Sequence, residues 1–247
     1  MEMTYKKIFT FLTALFNLKW WKKHWHKLAA RFFFCLFSFI LIFRFIPLPF
    51  SAYMVQQKVA HLWQGNFRYS GQYNWVSLEN ISPYMQLAVI AAEDQRFPKH
   101  SGFDFEAIKK ALKYNENTKR KFRGGSTISQ QTAKNFMLWH DQNYLRKALE
   151  VPSTLLLELL WSKKRILEVY LNIAQFGEGI FGVEAASHHY FNKSAKRLTR
   201  NEAALLAAVL PNPIIYRINK PSALVRKKQQ WILRQMSNLG LSLLKQL

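Results

Sequence analysis

Glu93 and Asp94 stand at the end of an apolar run, Ala88-Val89-Ile90-Ala91-Ala92, and lead into Gln95-Arg96-Phe97-Pro98-Lys99-His100-Ser101-Gly102. A carboxylate leaving a hydrophobic helix in this way is open to desolvation, which raises its proton affinity towards the range a general base or acid needs. A surface acidic pair at a helix end is the bland alternative. A second cluster, from Arg123-Gly124-Gly125-Ser126-Thr127 through Gln130-Gln131 to Lys134-Asn135, joins two glycines to a helix N-terminus. Free N–H groups there, with donors from Ser126, Gln131 and Lys134, suit a phosphate or a sugar. The order lacks the Gly-Lys-Ser/Thr of a nucleotide-binding P-loop. In the third cluster Arg146 and Lys147 precede Glu150 by four and three positions, which makes them neighbours on a helix. In isolation that is a pair of exposed ion pairs. The adjacent His188 and His189 point to different helix faces, and no metal is assigned to them.

The elements that must position these clusters read as helices. Ser82-Pro83 supplies an N-cap and a first-turn proline for a helix running towards Glu93. Asp104 is placed to cap a helix with Phe105, Ile108 and Leu112 on one face. Thr127 with Gln130, and Thr199 with Glu202, have the spacing of capping boxes, predicting helices from about Ile128 to Leu138 and over Ala203 to Leu210. Leu145 to Leu171 reads as one or two long helices with Pro152 as a kink or break. Gly177, Gly179 and Gly182 mark a turn, and a last helix follows Pro221-Ser222 and stops near Gly240. Strand alternation is nearly absent, so the fold class expected is mainly α. Between Asn115 and Gly125, Lys119, Arg120, Lys121 and Arg123 form a basic loop, read as a lid or a membrane-touching segment beside the site.

The chain carries 36 Lys+Arg against 14 Asp+Glu, a net charge of +22, which calls for an anionic partner. The single cysteine, Cys35, excludes an internal disulfide framework and a cysteine-based zinc site. It lies in the apolar stretch from residue 28 to 50, long enough to span a bilayer. Lys6, Lys7, Lys19, Lys22, Lys23 and Lys27 precede the stretch, with Trp20, Trp21 and Trp25 where an interfacial aromatic belt belongs. No small-x-small cleavage signal is evident before Tyr53, so an uncleaved anchor is expected, with its N-terminus in the cytoplasm. The expected organisation is a basic cytoplasmic segment over 1–27, an anchor over 28–50 and an outer, periplasmic domain over 51–247. That placement argues against nucleic acid and for membrane head groups and lipid-linked phosphates as the anionic partners.

In order and together, the clusters resemble the peptidoglycan glycosyltransferases of family 51, and in particular the monofunctional biosynthetic transglycosylases of Gram-negative bacteria. The family pattern is met by Glu93, Asp94, Phe97, His100 and Gly102, by the block from Gly124 to Asn135, and by Arg146, Lys147 and Glu150. The likeness continues through Trp161 to Asn172, Gly177-Glu178-Gly179 and Asn201 to Ala207, covering roughly residues 75 to 235. It implies a lysozyme-like, mainly helical domain with a cleft beside the membrane. The implied reaction joins lipid II, the undecaprenyl-pyrophosphate-linked GlcNAc-MurNAc-peptide, into β-1,4 glycan strands with inversion. The chain's end after the domain leads us to expect no transpeptidase activity.

By the same resemblance Glu93 is the base that takes the acceptor proton, and Glu150 lies near the leaving pyrophosphate. Ser126, Gln131, Lys134, Arg146 and Lys147 hold phosphates and sugars. A divalent cation, Mg²⁺ or Mn²⁺, is implied as cofactor, with its ligands unassigned. Other cell-wall synthesis proteins are further candidate partners. The sequence departs from the pattern at Gln142, where the family commonly has an arginine, at Pro152, and mildly at Ser129 and Thr132. Two alternatives stay open: a muramidase that cleaves glycan strands, since a lysozyme-like fold with two carboxylates also serves hydrolysis, and a non-catalytic scaffold for wall synthesis.

Overall fold

A computed structural model describes residues 18–116, 124–141 and 143–247. The chain divides into two compact units, Met1–Phe45 and Ile46–Leu247. In the first, helix α1 spans Leu18–Ile42. Its Lys23–Ile42 portion is long and apolar enough to cross a membrane, 20 residues giving roughly 30 Å at helical rise. Phe32, Phe33 and Phe34 are all largely exposed, Phe34 by 71%, a surface suited to lipid rather than water. The helix starts earlier than the apolar stretch 28–50 and ends before it, because the chain turns at Phe43–Phe45 ahead of Pro47 and Pro49. The lysine-tryptophan flank at Trp20 to Lys27 is thereby helical as well.

The second unit is built from helices, as the capping signals predict. Its first, α2 (Ala52–Trp63), is capped by Ser51, whose Oγ accepts from the Met54 N–H. Helix α3 (Pro83–Glu93) is the central element: Met85, Leu87, Ala88, Val89, Ile90 and Ala91 are all buried, so it is apolar almost all round. It packs against α9 (Arg200–Val209) and α10 (Ala223–Leu239). Ala203, Ala204, Ala207 and Ala208 are buried on α9, and such small side chains let the backbones approach closely. Burying one residue such as Ile90 contributes about 1.5–3 kcal/mol.

A second group consists of α5 (Ile128–Met137), α6 (Tyr144–Leu160) and α7 (Lys163–Ile173), with α5 packed against both others. The Thr127–Gln130 capping box opens α5 and the Thr199–Glu202 box opens α9, both complete. Asp104 caps α4 (Phe105–Glu116) by accepting from the Ala107 N–H. Pro152 lies inside α6 without ending it. The break falls instead at Trp161-Ser162, where the Ser162 hydroxyl caps α7 by accepting from the Arg165 N–H.

The turn marked by glycines is part of a small sheet that sequence periodicity does not show. Strands β1 (Gln72–Tyr73), β2 (Gln175–Gly177) and β3 (Ile180–Phe181) lie in the order β1-β3-β2, with β1 parallel and β2 antiparallel to β3. Two or three residues per strand are too few for alternation to register. Gly182, at φ +81°, leads into α8 (Val183–Phe191), and a Cβ there would collide with the Asn172 carbonyl.

Candidate active site

Glu93 is the last residue of α3, so the rigid, buried helix delivers its side chain to the edge of the core. Only 14% of that side chain is exposed. Asp94, next in the chain, is fully committed: it pairs with His100 Nε2 at 2.9 Å and accepts the Ile128 backbone N–H at 3.0 Å. This carboxylate fastens the end of α3 to the N-terminus of α5. Thr127 adds a second fastening by donating to the Gly102 carbonyl at 2.6 Å. Gln131, one turn into α5, consequently meets Glu93, its Nε2 donating to Glu93 Oε2 at 3.0 Å. The Tyr170 hydroxyl, from α7, donates to Gln131 Oε1 at 3.1 Å and so fixes the amide's orientation. Burial, with the nearby charges of Glu93 and Asp94, holds that phenol well above its ordinary pKa and keeps it a donor.

A cavity of about 420 Å³ opens at Glu93, lined among others by Arg96, Asp104, Ser126 and Trp231. Ser126 and Glu93 thus face one space. Lys228 on α10 reaches to 3.8 Å from Glu93 Oε1, the nearest cation to that carboxylate among the described residues.

The second carboxylate sits in a different setting. Glu150 is 3% exposed on the buried side of α6. Arg146 Nη1 approaches its Oε2 at 2.8 Å, Lys147 Nζ its Oε1 at 2.5 Å, and Gln130 Nε2 lies 3.4 Å from Oε1. The i,i+4 and i,i+3 spacing therefore makes a buried, doubly paired carboxylate, where the bland reading has surface pairs. Lys147 remains 51% exposed, which leaves it able to engage a ligand. Pro152 removes an N–H two residues after Glu150, and the Thr154 hydroxyl donates to the Glu150 carbonyl at 2.7 Å, anchoring the backbone there.

Lys134 lies between the two settings. Burial lowers its ammonium pKa from 10.5; Glu150 opposes that shift, Arg146 and Lys147 reinforce it, and Glu93 opposes it weakly. Lys134 lines a second cavity of about 250 Å³ with Gln131, Asn135, His140 and Tyr170. Gln131 therefore bridges the spaces, touching Glu93 and facing Lys134's cavity. His140 is pushed down to about 3 by burial, then by the charges of Lys134 and Arg146, and so stays neutral.

All seven residues singled out from sequence are thus placed: Glu93 with Ser126 and Gln131, and Glu150 with Arg146, Lys147 and, electrostatically, Lys134. Sequence reasoning misses Tyr170, Lys228 and Gln130 as contributors, because each depends on a contact between separate segments, and it misses the Asp94 clamp because its tie to Ile128 crosses 34 residues although His100 is near in the chain. Gln142 and the basic residues Lys119, Arg120, Lys121 and Arg123 lie outside the described residues. Among the described residues no three His, Cys, Asp or Glu side chains converge to hold a metal ion.

The profile of the family described as Transglycosylase matches residues 61–237. Three proteins named biosynthetic peptidoglycan transglycosylase illustrate the likeness. One from Haemophilus influenzae is 73% identical over 235 residues, covering 95% of this chain and 96% of its own length. One from Mannheimia succiniciproducens is 64% identical, covering 94% of each chain. One from Escherichia coli is 59% identical over 201 residues, 81% of this chain and 83% of its own.

Proposed function

The chain belongs to the transglycosylase family, and from that premise we propose that this peptidoglycan transglycosylase polymerises lipid II into β-1,4 glycan strands by an inverting displacement. Glu93 takes the proton from the acceptor sugar's 4-hydroxyl as that oxygen forms its bond to the anomeric carbon of the donor. The bond from that carbon to the pyrophosphate oxygen breaks with inversion, and the electron pair leaves on the pyrophosphate. Lys134, Arg146 and Lys147 meet the developing negative charge, and Ser126 and Gln131 position hydroxyl and phosphate oxygens. Pyrophosphate departs readily once its charge is balanced, so the arrangement needs one base and several cations, with no nucleophilic Ser or Cys.

The observation that carries this reading is the contrast within one site. Glu93 has a neutral amide as its close partner, which leaves it free to accept a proton, whereas Glu150 is buried under two cations. A neutral glycan, the substrate of a muramidase, has no need of the Lys134–Arg146–Lys147 set. The donor set suits Mg²⁺ or Mn²⁺ carried mainly by pyrophosphate oxygens, since such ions commonly use one or two carboxylates plus substrate phosphates. Glu150 is the carboxylate that would share it, through Oε2, which Arg146 approaches, whereas Oε1 already takes both Lys147 and Gln130. Bound there, the ion would supply charge neutralisation at the leaving group.

Helix α1 fits a membrane anchor for an enzyme with a lipid-linked substrate. We place its N-terminus in the cytoplasm and the 51–247 domain in the periplasm on the strength of the lysines before the span. Protease added to spheroplasts should digest the domain; protection until lysis would reverse the orientation. For the reaction, the purified full chain should convert lipid II in detergent or vesicles into polymer. Absence of polymer, with shortening of finished cell wall instead, would favour hydrolysis.

A further inference from the structure

Helix α2 contributes no fully buried residue, so it does not dock on the domain through the core. Its attachment near the site is polar. The Gln56 side-chain amide pairs with both backbone groups of His140: its Nε2 donates to the His140 carbonyl at 3.1 Å, and its Oε1 accepts the His140 N–H at 2.6 Å. Tyr53 stacks on the His140 ring with centroids 3.7 Å apart, and its hydroxyl donates to Gln175 Oε1 at 2.9 Å. Gln57 Nε2 in turn donates to that hydroxyl. Such two-point pairing is the geometry of a β-ladder rung made by a side chain, and it fixes the orientation of a peptide as well as its position.

The segment so held leads directly to the donor-side cations. The Asp141 carbonyl, one residue on, accepts from Arg146 Nε at 2.5 Å. Asn143 caps α6 by accepting the Arg146 N–H at 2.7 Å, and its Nδ2 donates to Asp141 Oδ2. Arg146 Nη1 then meets Glu150. Gln56 and the guanidinium are therefore hydrogen-bonded to two residues joined directly in the chain, His140 and Asp141. An arginine presents its donors in a rigid planar fork, so fixing Nε sets the direction of the remaining N–H groups.

We infer that Gln56 is a positioning residue: by holding the His140 peptide it fixes the Asp141 carbonyl that aims the Arg146 guanidinium at the pyrophosphate of the donor. This rests on the proposed role of Arg146 as a phosphate contact. Gln56 touches no substrate and acts only through Arg146, and this separates it from a residue that merely stabilises the fold.

A double-mutant cycle tests it, with the full-length chain, Gln56→Met, Arg146→Ala and the double variant, read both as KM and kcat for lipid II and as Kd for inorganic pyrophosphate. Gln56→Met keeps the length of the side chain and deletes both hydrogen bonds. It should weaken pyrophosphate binding and raise KM by roughly fivefold, the scale of a lost hydrogen bond or two, with kcat changed much less. In the Arg146→Ala background the same substitution should change neither value by more than experimental scatter. Gln56→Glu, which can accept from the His140 N–H but cannot donate to its carbonyl, should fall between Met and the native residue, and it carries the cycle if Gln56→Met does not fold. Equal effects of the Gln56 change with and without Arg146 would overturn the inference, as would an Arg146→Ala protein that binds pyrophosphate as the native one does. A chain that makes no polymer yet shows the non-additive pyrophosphate cycle would sink the proposed reaction and leave the positioning role standing.

Discussion

Glu93 and Glu150 are the same residue type, and the structure gives them opposite surroundings, which is why the proposed reaction gives them different work. Glu93 ends a helix locked between α9 and α10, with a neutral amide at 3.0 Å and a lysine no nearer than 3.8 Å. Glu150 is held within α6 against α5, with an arginine and a lysine at 2.8 and 2.5 Å. The first carboxylate has an amide as its close partner and is not committed to a cation; the second is committed to two and holds them in place. The two helix groups meet at Gln131, so in the proposed reaction proton removal and leaving-group stabilisation would be adjacent without sharing a residue.

If that division is right, the largest effect belongs to Glu93→Gln. The amide preserves size and the capacity to hydrogen-bond Gln131 but cannot accept the proton, so polymerisation should fall by a factor on the order of 10² or more. Donor affinity and melting temperature should hardly move, since no close ion pair is lost. A Glu93→Gln protein that polymerises at near the native rate would leave the base unassigned, because both Asp94 oxygens are already engaged.

Glu150→Gln should behave in the opposite way. Losing the anion leaves Arg146 and Lys147 facing each other across a buried position, and a buried partner left unmatched costs about 1–3 kcal/mol. The melting temperature should fall, and metal dependence and donor affinity should shift together. Equal stability of the Glu93 and Glu150 variants would erase the contrast between them.

How far this site is legible in the sequence depends on the range of the interaction. Capping boxes at Thr127–Gln130 and Thr199–Glu202 are written in four consecutive residues, and both form as their spacing predicts. The Arg146-Lys147-Glu150 spacing fixes which side chains meet on a helix, though its burial depends on α5 and has no local signal. Pro152, read as a kink or a break, does not end the helix, which continues to Leu160. Helix α2 and the three short strands escape notice because half-buried elements, or strands of two or three residues, carry no period. Tyr170, Lys228 and Gln56 reach the site from segments far away in the chain; the Trp161–Asn172 block marks the segment of Tyr170 but not its contact with Gln131.

Lys134, between the two carboxylates, yields a pH signature smaller than either loss of carboxylate. Burial lowers its pKa from 10.5, so in the folded chain it gives up its proton earlier than an ordinary lysine. In the proposed reaction pyrophosphate meets the charged form, so affinity should fall as pH rises through the lowered value. Over the window between that value and 10.5 the unfolded chain holds the proton more tightly, so the same residue makes stability rise with pH. Lys134→Arg remains charged throughout and should hold pyrophosphate affinity at alkaline pH. Parallel losses in the two proteins would place the titration elsewhere.

The smallest effect tests the neutral side of the same cluster. His140 is pushed down to about 3 by burial and then by Lys134 and Arg146, against 6.5 for an ordinary histidine. As pH falls from 6.5 towards 3 the unfolded chain takes up a proton that the folded chain refuses, so this residue contributes a loss of stability with acidification. His140→Phe removes the titration while keeping a ring to stack on Tyr53, and the peptide groups held by Gln56 are unchanged. The imidazole Nδ1 is buried without a partner, so replacing it by carbon forfeits no hydrogen bond at that atom. Melting temperatures followed from pH 6.5 down to about 4 should therefore decline less steeply for His140→Phe than for the native chain, with carboxylate contributions common to both cancelling in the difference. Identical slopes would show that His140 is protonated as readily in the folded chain as in the unfolded one. The cations gathered around Glu150 would then extend no influence to the Tyr53–His140 stack, and the cluster would end at Arg146.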